Sequence, residues 1–259
     1  MIKHRCKLSF LTLFIWISAC TESTPEQAGQ DLLTPKVLVI GIDGIRPDIL
    51  MDVNTPHIDR LAAEGLLTNQ AMTGYPSVSG PGWSSMLNGV WPDKHGVTDN
   101  SFDGERYNDF PDFLTRIEQI RPELETFAVA DWAPLGYSDQ GSPTISDAVD
   151  VKHVLDGYEL GWAEADAKSV QLAVEQLETS NPDALFVYLG NPDEISHEHS
   201  SIGSEYRDAI ALADEHVGVL VKAIHDRVTY PEEDWLILSS TDHGRRSDGG
   251  HGGNSEEER

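Results

Sequence analysis

The sequence predicts an α/β fold of three layers, with helices on both faces of a mainly parallel central sheet. Short apolar runs alternate along the chain with longer stretches of helical periodicity, as in strand–helix–strand units. Connections of this kind join parallel strands. In addition, acids and histidines stand just past several of the apolar runs, where open α/β sheets gather their functional groups.

The individual elements follow from the same patterns. Continuous apolar runs bounded by polar residues predict four strands, and 3.6-residue periodicity predicts five helices. The long stretch 131–156, which is rich in Gly, Ser and Asp, is predicted to be an insertion or a lid. The predicted strands cover residues 37–42, 126–130, 184–189 and 235–239, and the predicted helices cover 55–64, 81–87, 110–120, 163–177 and 204–227.

The first residues predict export and a lipid anchor. Three basic residues are followed by an apolar run, 8–19, that is too short to span a bilayer, which is typical of a signal peptide. The run ends on Ile17-Ser18-Ala19-Cys20, which resembles a bacterial lipobox, and the resemblance implies that Cys20 is lipidated. The alternative is an ordinary signal peptide with a chance cysteine. The predicted organisation is a signal peptide (1–19), a flexible tether (20–33) and a main domain (34–259).

The lipobox also bears on location and redox chemistry. Thr21 rather than Asp follows the cysteine, which by resemblance favours the outer membrane of a Gram-negative cell, facing the periplasm or the outside. With Cys6 removed and Cys20 acylated, the mature chain has no thiol for a disulfide, so its stability must come from its core.

The charge balance limits the partners. The chain has 18 Lys and Arg against 44 Asp and Glu, a formal net charge of −26. Such a surface repels nucleic acid, so no nucleic acid polymer is expected as a partner. An anionic substrate would need local positive charge, which bound divalent ions can supply.

Six residues are candidate metal ligands. Asp193 and His197 are four residues apart, so one helical turn places them on one face as ligands of one ion. Taken singly, each candidate has a structural alternative: a turn-forming Asp before Gly44, a capping Asp beside a hydrogen-bonded His, or a flexible glycine loop. Glu194, Glu198 and His199 also compete for the helical position. The six candidates are Asp43, Asp193, His197, Asp242, His243 and His251.

Two further motifs make the pattern specific. The stretch Tyr75-Pro76-Ser77-Val78-Ser79-Gly80-Pro81 resembles the motif Tyr-Pro-Thr-x-Thr-x-Pro of the type I phosphodiesterase/nucleotide pyrophosphatase branch of the alkaline phosphatase superfamily. The stretch from Gly89 to Asn100 resembles that branch's Gly-x-x-Pro-x-x-His-Gly-[Ile/Val]-x-x-Asn. The resemblance runs from about Val37 to the C-terminus and is weak over 102–181. It implies that Ser79 is the nucleophile and that Asn100 donates to a phosphate oxygen.

The resemblance also implies two metal ions and an alkaline phosphatase-like fold. One ion would be held by Asp43, Ser79, Asp242 and His243, and the other by Asp193, His197 and His251. Three imidazoles favour zinc over magnesium. The expected activity is zinc-dependent hydrolysis of a small phosphate ester. The sequence leaves the choice among monoesters, diesters, nucleotides and phosphonates open.

Three departures from the family pattern qualify this expectation. Gly80 stands where relatives often have an aromatic residue that stacks a nucleobase, so nucleotide specificity is in doubt. The chain lacks the Arg of the sulfatase pattern, because Trp83 follows Ser79-Gly80-Pro81-Gly82, so sulfatase activity is less favoured. Mutase and phosphonate hydrolase activities are also less favoured. The chain ends where relatives continue with a strand and further core. The alternative function is therefore a truncated, inactive surface-binding lipoprotein.

Overall fold

The computed structural model describes residues 33–139 and 141–259. The predicted signal peptide, Cys20 and nearly all of the tether lie outside these residues. The strands are β1 (Thr34–Ile42), β2 (Thr126–Ala130), β3 (Val151–Val154), β4 (Ala184–Leu189) and β5 (Glu233–Ser240). The helices are α1 (Pro47–Leu50), α2 (Pro56–Glu64), α3 (Ser79–Asn88), α4 (Pro92–His95), α5 (Phe113–Ile120), α6 (Gly157–Leu160), α7 (Trp162–Thr179), α8 (Asn191–His199) and α9 (Ser204–His225), with 3-10 turns at Ala133–Leu135 and Tyr230–Glu232.

The strands form one sheet in the order β3-β2-β4-β1-β5, and the pairings β1–β4, β1–β5, β2–β3 and β2–β4 are all parallel. The predicted parallel sheet is therefore confirmed. The four predicted strands are present, and β2 and β4 have the predicted bounds. The prediction of an insertion or lid was wrong for Val151–Val154, which form the edge strand β3 beside β2.

The two faces of the sheet carry separate apolar cores, which makes the fold three-layered. One core contains Leu38 and Ile40 of β1 together with Val170 of α7 and Ile210 of α9. The other core, on the opposite face, contains Phe186 of β4 packed with residues of α3 and α5. Because β1, β2 and β4 are covered on both sides, their apolar runs are continuous rather than alternating.

The helix bounds differ from the predictions by up to three residues, and the largest differences at a helix start are those of α5 and α3. The helix predicted at 110–120 begins at Phe113, because the Asp112 carboxylate caps it by accepting from the N–H groups of Leu114 and Thr115. The helix predicted at 81–87 begins two residues earlier, at Ser79. Within residues 33–139 and 141–259, no helix combines the length and apolar character needed to cross a bilayer.

Candidate metal centre

All six predicted ligands lie at the carboxyl edge of the sheet, as expected for an open α/β fold. Asp43 directly follows β1, and Asp242 and His243 follow β5. Helix α8, just after β4, carries Asp193 in its first turn and His197 in its last turn. The structure brings them together as two groups whose donor atoms lie within 4.8 Å of one another, Asp43–Asp242–His243 and Asp193–His197–His251. The competing candidates Glu194, Glu198 and His199 belong to neither group.

The first group, which we call the first donor set, comprises Asp43, Asp242 and His243 and is buried throughout. The His243 Nε2 atom lies 3.4 Å from Asp43 Oδ1 and 3.6 Å from Asp242 Oδ2. The same nitrogen lies 3.3 Å from Ser79 Oγ. The His243 Nδ1 atom lies 2.8 Å from the Gly244 carbonyl oxygen, so Nδ1 carries the proton and the Nε2 lone pair faces the carboxylates.

The second donor set comprises Asp193, His197 and His251 and is more open. Asp193 Oδ2 lies 3.3 Å from His197 Nε2, and Asp193 Oδ1 lies 3.8 Å from His251 Nε2. The His251 Nδ1 atom donates to the Ser77 carbonyl at 2.8 Å, which again leaves Nε2 facing the other donors. The rings of His243 and His251 stack with centroids 3.8 Å apart, so the two sets adjoin.

The geometry of the first donor set fits a metal ion. Two buried carboxylate oxygens, Asp43 Oδ1 and Asp242 Oδ2, have no hydrogen-bond partner among the described residues, although such atoms are normally paired. A tetrahedral zinc with bonds of about 2.1 Å separates neighbouring donors by about 3.4 Å, close to the 3.4 and 3.6 Å measured from His243 Nε2. A cation between these atoms would satisfy both oxygens at once.

The other oxygen of Asp43 is held by two neighbours that the sequence reading missed. Trp83 Nε1 donates to Asp43 Oδ2 at 2.8 Å, and the Tyr188 hydroxyl donates to the same atom at 2.6 Å. Trp83 lies one helical turn after Ser79, and Tyr188 is in β4. Because both donors bind Oδ2, Oδ1 is turned towards His243. The sequence signal for the role of Trp83 was its position, because a residue four after the candidate nucleophile Ser79 lies on the same face of the helix.

Burial and charge perturb the protonation of the first donor set. Burial raises the pKa of Asp43, but the electrostatic interaction with His243 and the bonds from Tyr188 and Trp83 outweigh it, so the pKa is lowered overall. Burial and then the charge of Asp43 raise the pKa of Asp242 well above its usual value. In contrast, burial lowers the pKa of His243. In the metal-free chain, one of the two carboxyls is therefore driven towards its neutral form.

Ser79 is the first residue of α3, and its hydroxyl faces the first donor set. The Gly80 N–H donates to Asn100 Oδ1 at 2.7 Å, which leaves the Asn100 amide group as a donor for a ligand. A Cβ at residue 80 would lie 2.5 Å from the Asp99 carbonyl oxygen. Gly80 is thus required by the close approach of the segment that carries Asn100, which explains why an aromatic residue is absent there.

The loop that carries His251 is held in place by hydrogen bonds to Ser77. The Ser77 hydroxyl donates to the Gly253 carbonyl at 3.0 Å and accepts from the Gly252 N–H at 3.1 Å. The buried Glu258 carboxylate accepts from the N–H groups of Gly253 and Ser255 at 2.8 and 3.2 Å. These hydrogen bonds from Ser77 and Glu258 hold the loop that carries His251 in place.

Sequence reasoning also missed Arg245, a fully buried arginine two residues after His243. Its guanidinium bonds to Asp193 Oδ1 and donates to the Gly44 carbonyl at 3.0 Å and the Gly249 carbonyl at 2.7 Å. Burial lowers the pKa of Arg245 to about 10, so the group stays charged at neutral pH. A permanently charged cation therefore lies against the second donor set.

Comparison with known proteins agrees with this geometry. Residues 37–247 match the family described as type I phosphodiesterase / nucleotide pyrophosphatase. The chain is 23% identical over 238 residues to an ectonucleotide pyrophosphatase/phosphodiesterase of Caenorhabditis elegans, covering 83% of this chain and 29% of that protein. It is 25% identical over 220 residues to a bis(5'-adenosyl)-triphosphatase of Bos taurus, covering 81% of this chain and 47% of that protein. The chain thus spans less than half the length of these relatives.

Solved structures share the fold. Murine ectonucleotide pyrophosphatase/phosphodiesterase 5 superposes with a TM-score of 0.57 at 20% identity, over 81% of this chain and 57% of that one. A 2-O GAG sulfatase superposes with a TM-score of 0.66 at 14% identity, over 87% of this chain and 62% of that one. A phosphonoacetate hydrolase of Sinorhizobium meliloti gives 0.56 at 16% identity, over 82% and 57%. At these identities the superpositions establish the fold and leave the substrate open.

Proposed function

The chain belongs to the type I phosphodiesterase/nucleotide pyrophosphatase family of the alkaline phosphatase superfamily, and from that premise we propose that it is a metal-dependent hydrolase of small phosphate esters. The observation that carries the proposal is the meeting of two acid–histidine donor sets beside the Ser79 hydroxyl, which lies 3.3 Å from His243 Nε2. A nucleophile next to paired cation sites is the arrangement that phosphoryl transfer requires.

The donors favour two zinc ions. Each set has at least one imidazole, and magnesium prefers shells made only of oxygen. We assign one ion to Asp43, Asp242 and His243 together with Ser79, and the other to Asp193, His197 and His251. When bound, the two ions would supply the positive charge that an ionised serine and a phosphate group need in this acidic chain.

In the proposed reaction, Ser79 is the nucleophile and Asn100 binds the phosphate group. Ser79 Oγ forms a bond to phosphorus while the bond from phosphorus to the leaving alcohol breaks. Water later breaks the bond between phosphorus and Ser79 Oγ, which restores the serine hydroxyl and releases phosphate from a monoester substrate or a phosphate monoester from a diester. The serine proton goes to solvent, and the departing alcohol takes one up. The Asn100 amide is placed by its bond to the Gly80 N–H and donates to a non-bridging phosphate oxygen.

A panel of substrates tests this proposal. We expect zinc-loaded protein to hydrolyse at least one of p-nitrophenyl phosphate, bis-p-nitrophenyl phosphate and a nucleotide p-nitrophenyl ester, and to leave p-nitrophenyl sulfate intact. Ser79→Ala should lower the rate by about three orders of magnitude or more while zinc binding survives. The matched variant Ser77→Ala should keep most of the activity. Near-normal turnover by Ser79→Ala would rule out the serine as nucleophile.

The second candidate is a surface-binding lipoprotein that keeps the fold and the donor sets without turnover. Zinc binding without hydrolysis of any ester in the panel would support it.

We also propose that the protein is anchored in the bacterial envelope through lipid on Cys20, at the outer membrane. The support is the Ile17-Ser18-Ala19-Cys20 motif after a short apolar run. A fatty-acid probe should label the wild-type chain and leave Cys20→Ser unlabelled. Equal labelling of the two chains would contradict the anchor.

A further inference from the structure

The two donor sets differ in the partners that their carboxylates already have. In the first set, Asp43 Oδ1 and Asp242 Oδ2 have no hydrogen-bond partner among the described residues. In the second set, Asp193 Oδ1 is bonded by the guanidinium of Arg245, a cation that belongs to neither donor set. An ion entering the first set meets open ligands, whereas one entering the second set must share Asp193 with a cation.

Arg245 is fixed in this position by its other bonds. Its Nε and Nη1 donate to the carbonyls of Gly44 and Gly249, at 3.0 and 2.7 Å, and its side chain is fully buried. These carbonyls belong to the turn after Asp43 and to the loop that leads to His251. The guanidinium therefore has no solvent to move into, and its charge stays beside Asp193 whether or not an ion is bound.

The histidines of the second donor set add to the difference between the two sets. His197 has 41% of its side chain exposed, and its Nε2 lies 2.9 Å from His251 Nε2. The two imidazoles of the second set are therefore already in contact with each other, and one of them is open to solvent. The first set consists only of buried residues.

We propose that Arg245 is a positioning residue that acts through Asp193 to make the second donor set the weaker of two metal sites, so that the first set holds its ion firmly and the second exchanges its ion. The inference rests on the proposed metal-dependent function. The arginine holds Asp193 and the His251 loop in place, and its charge opposes the arriving divalent ion. Two cations at such distances in a buried site repel strongly, because little water screens them.

Zinc titration of the metal-free protein by calorimetry tests this inference without any measurement of hydrolysis. Wild type should bind two equivalents in two separable steps. His197→Ala, a change at an exposed residue, should abolish the weaker step only and so identify it as the second set. Two steps of equal affinity would overturn the proposal.

Variants of Arg245 separate charge from positioning. Arg245→Met removes the charge with a side chain of comparable length, and the weaker step should tighten by about tenfold or more while the tighter step is unchanged. Arg245→Lys keeps the charge and loses the forked bonds, so the weaker step should stay at or below the wild-type affinity. If Arg245→Met fails to fold by circular dichroism, Arg245→Gln supplies a neutral side chain that still donates to one carbonyl.

The outcomes distinguish this inference from the proposed function. Weaker or unchanged binding at the second set in both neutral variants would overturn the inference and leave the proposed function intact. If the wild-type protein binds no zinc at the first set and none at the second, both the inference and the proposed function are overturned. A purely structural arginine would give the same loss of affinity in the neutral and the charged variants, rather than tighter binding in the neutral variant and unchanged or weaker binding in the charged one.

Discussion

Asp43 and Asp131 occupy similar places in the chain and have opposite surroundings. Each directly follows a buried parallel strand at the carboxyl edge of the sheet, and each is almost fully buried. Asp43 Oδ2 accepts from Trp83 and Tyr188, and its Oδ1 faces His243. No described residue donates a hydrogen bond to either oxygen of Asp131, and the neighbouring charge that raises its pKa most is that of another carboxyl, Asp166.

The comparison shows that a strand-end acid becomes a candidate ligand only through its partners. Donors on one oxygen and an imidazole opposite the other favour the charged form of Asp43. Burial and then the charge of Asp166 raise the pKa of Asp131, and burial raises the pKa of Asp166 to about 7. The Asp131–Asp166 pair thus favours holding a proton between the two carboxyls in the metal-free chain.

The largest effect is expected at Asp43. Asp43→Asn should lower ester hydrolysis by about a thousandfold or more and reduce bound zinc by about one ion per chain, because an amide replaces a charged ligand of the first set. Asp131→Asn is the matched control and should keep activity within about threefold. Zinc content and initial rates measure both. An equal loss in the two variants would place Asp131 in the catalytic site and remove the contrast.

A smaller effect is expected at the residue that orients Asp43. Tyr188→Phe removes the 2.6 Å bond to Asp43 Oδ2 and leaves the one from Trp83. We expect zinc affinity at the first set to fall by about 10- to 100-fold. Tyr107→Phe is the control, because that buried hydroxyl bonds to Ser84 and Thr144 and to neither donor set. Unchanged affinity in Tyr188→Phe would show that Trp83 alone suffices.

The smallest effect concerns stability at the Asp131–Asp166 pair. Because the folded-state pKa of Asp166 is raised to about 7, its contribution is fully present below the unfolded-state pKa and is lost as pH rises through about 7. Asp166→Asn keeps an acceptor for the N–H groups of Gly190 and Asn191 and offers a donor to Asp131. It should stabilise the metal-free protein by about 1–3 kcal/mol at pH 8.

Urea unfolding from pH 5 to pH 8.5 measures this effect. The wild-type free energy of unfolding should fall with pH by at most about 1.4 kcal/mol per unit for one proton. The fall should be reduced in Asp166→Asn and should persist in Asp208→Asn, a change at an exposed residue of α9. Parallel pH curves for wild type and Asp166→Asn would show that the carboxyl pair holds no extra proton.

Much of the fold could be predicted, because most strands are continuous apolar runs. Residues 126–130 and 184–189 were assigned with their observed bounds, since both strands are buried on both faces. Strand β3 was missed because Val151–Val154 is a short edge strand in a polar stretch, and its pairing with β2 comes from long-range contact. The early start of α3 was missed because Ser79 and Gly80 are weak helix formers.

The sequence by itself determined the candidate ligands, since acids and histidines of particular spacing stand after apolar runs and resemble family motifs. It also determined the parallel sheet, because continuous apolar runs alternate with amphipathic helices. Only the tertiary structure decided which strand-end acid faces an imidazole and which faces another acid. It alone placed Tyr188 and Arg245 against the candidate ligands Asp43 and Asp193, which are 145 and 52 residues away in the chain. The physical reason is that strand period and helix period are local, whereas the charge state and orientation of a buried carboxylate depend on whatever the fold packs against it.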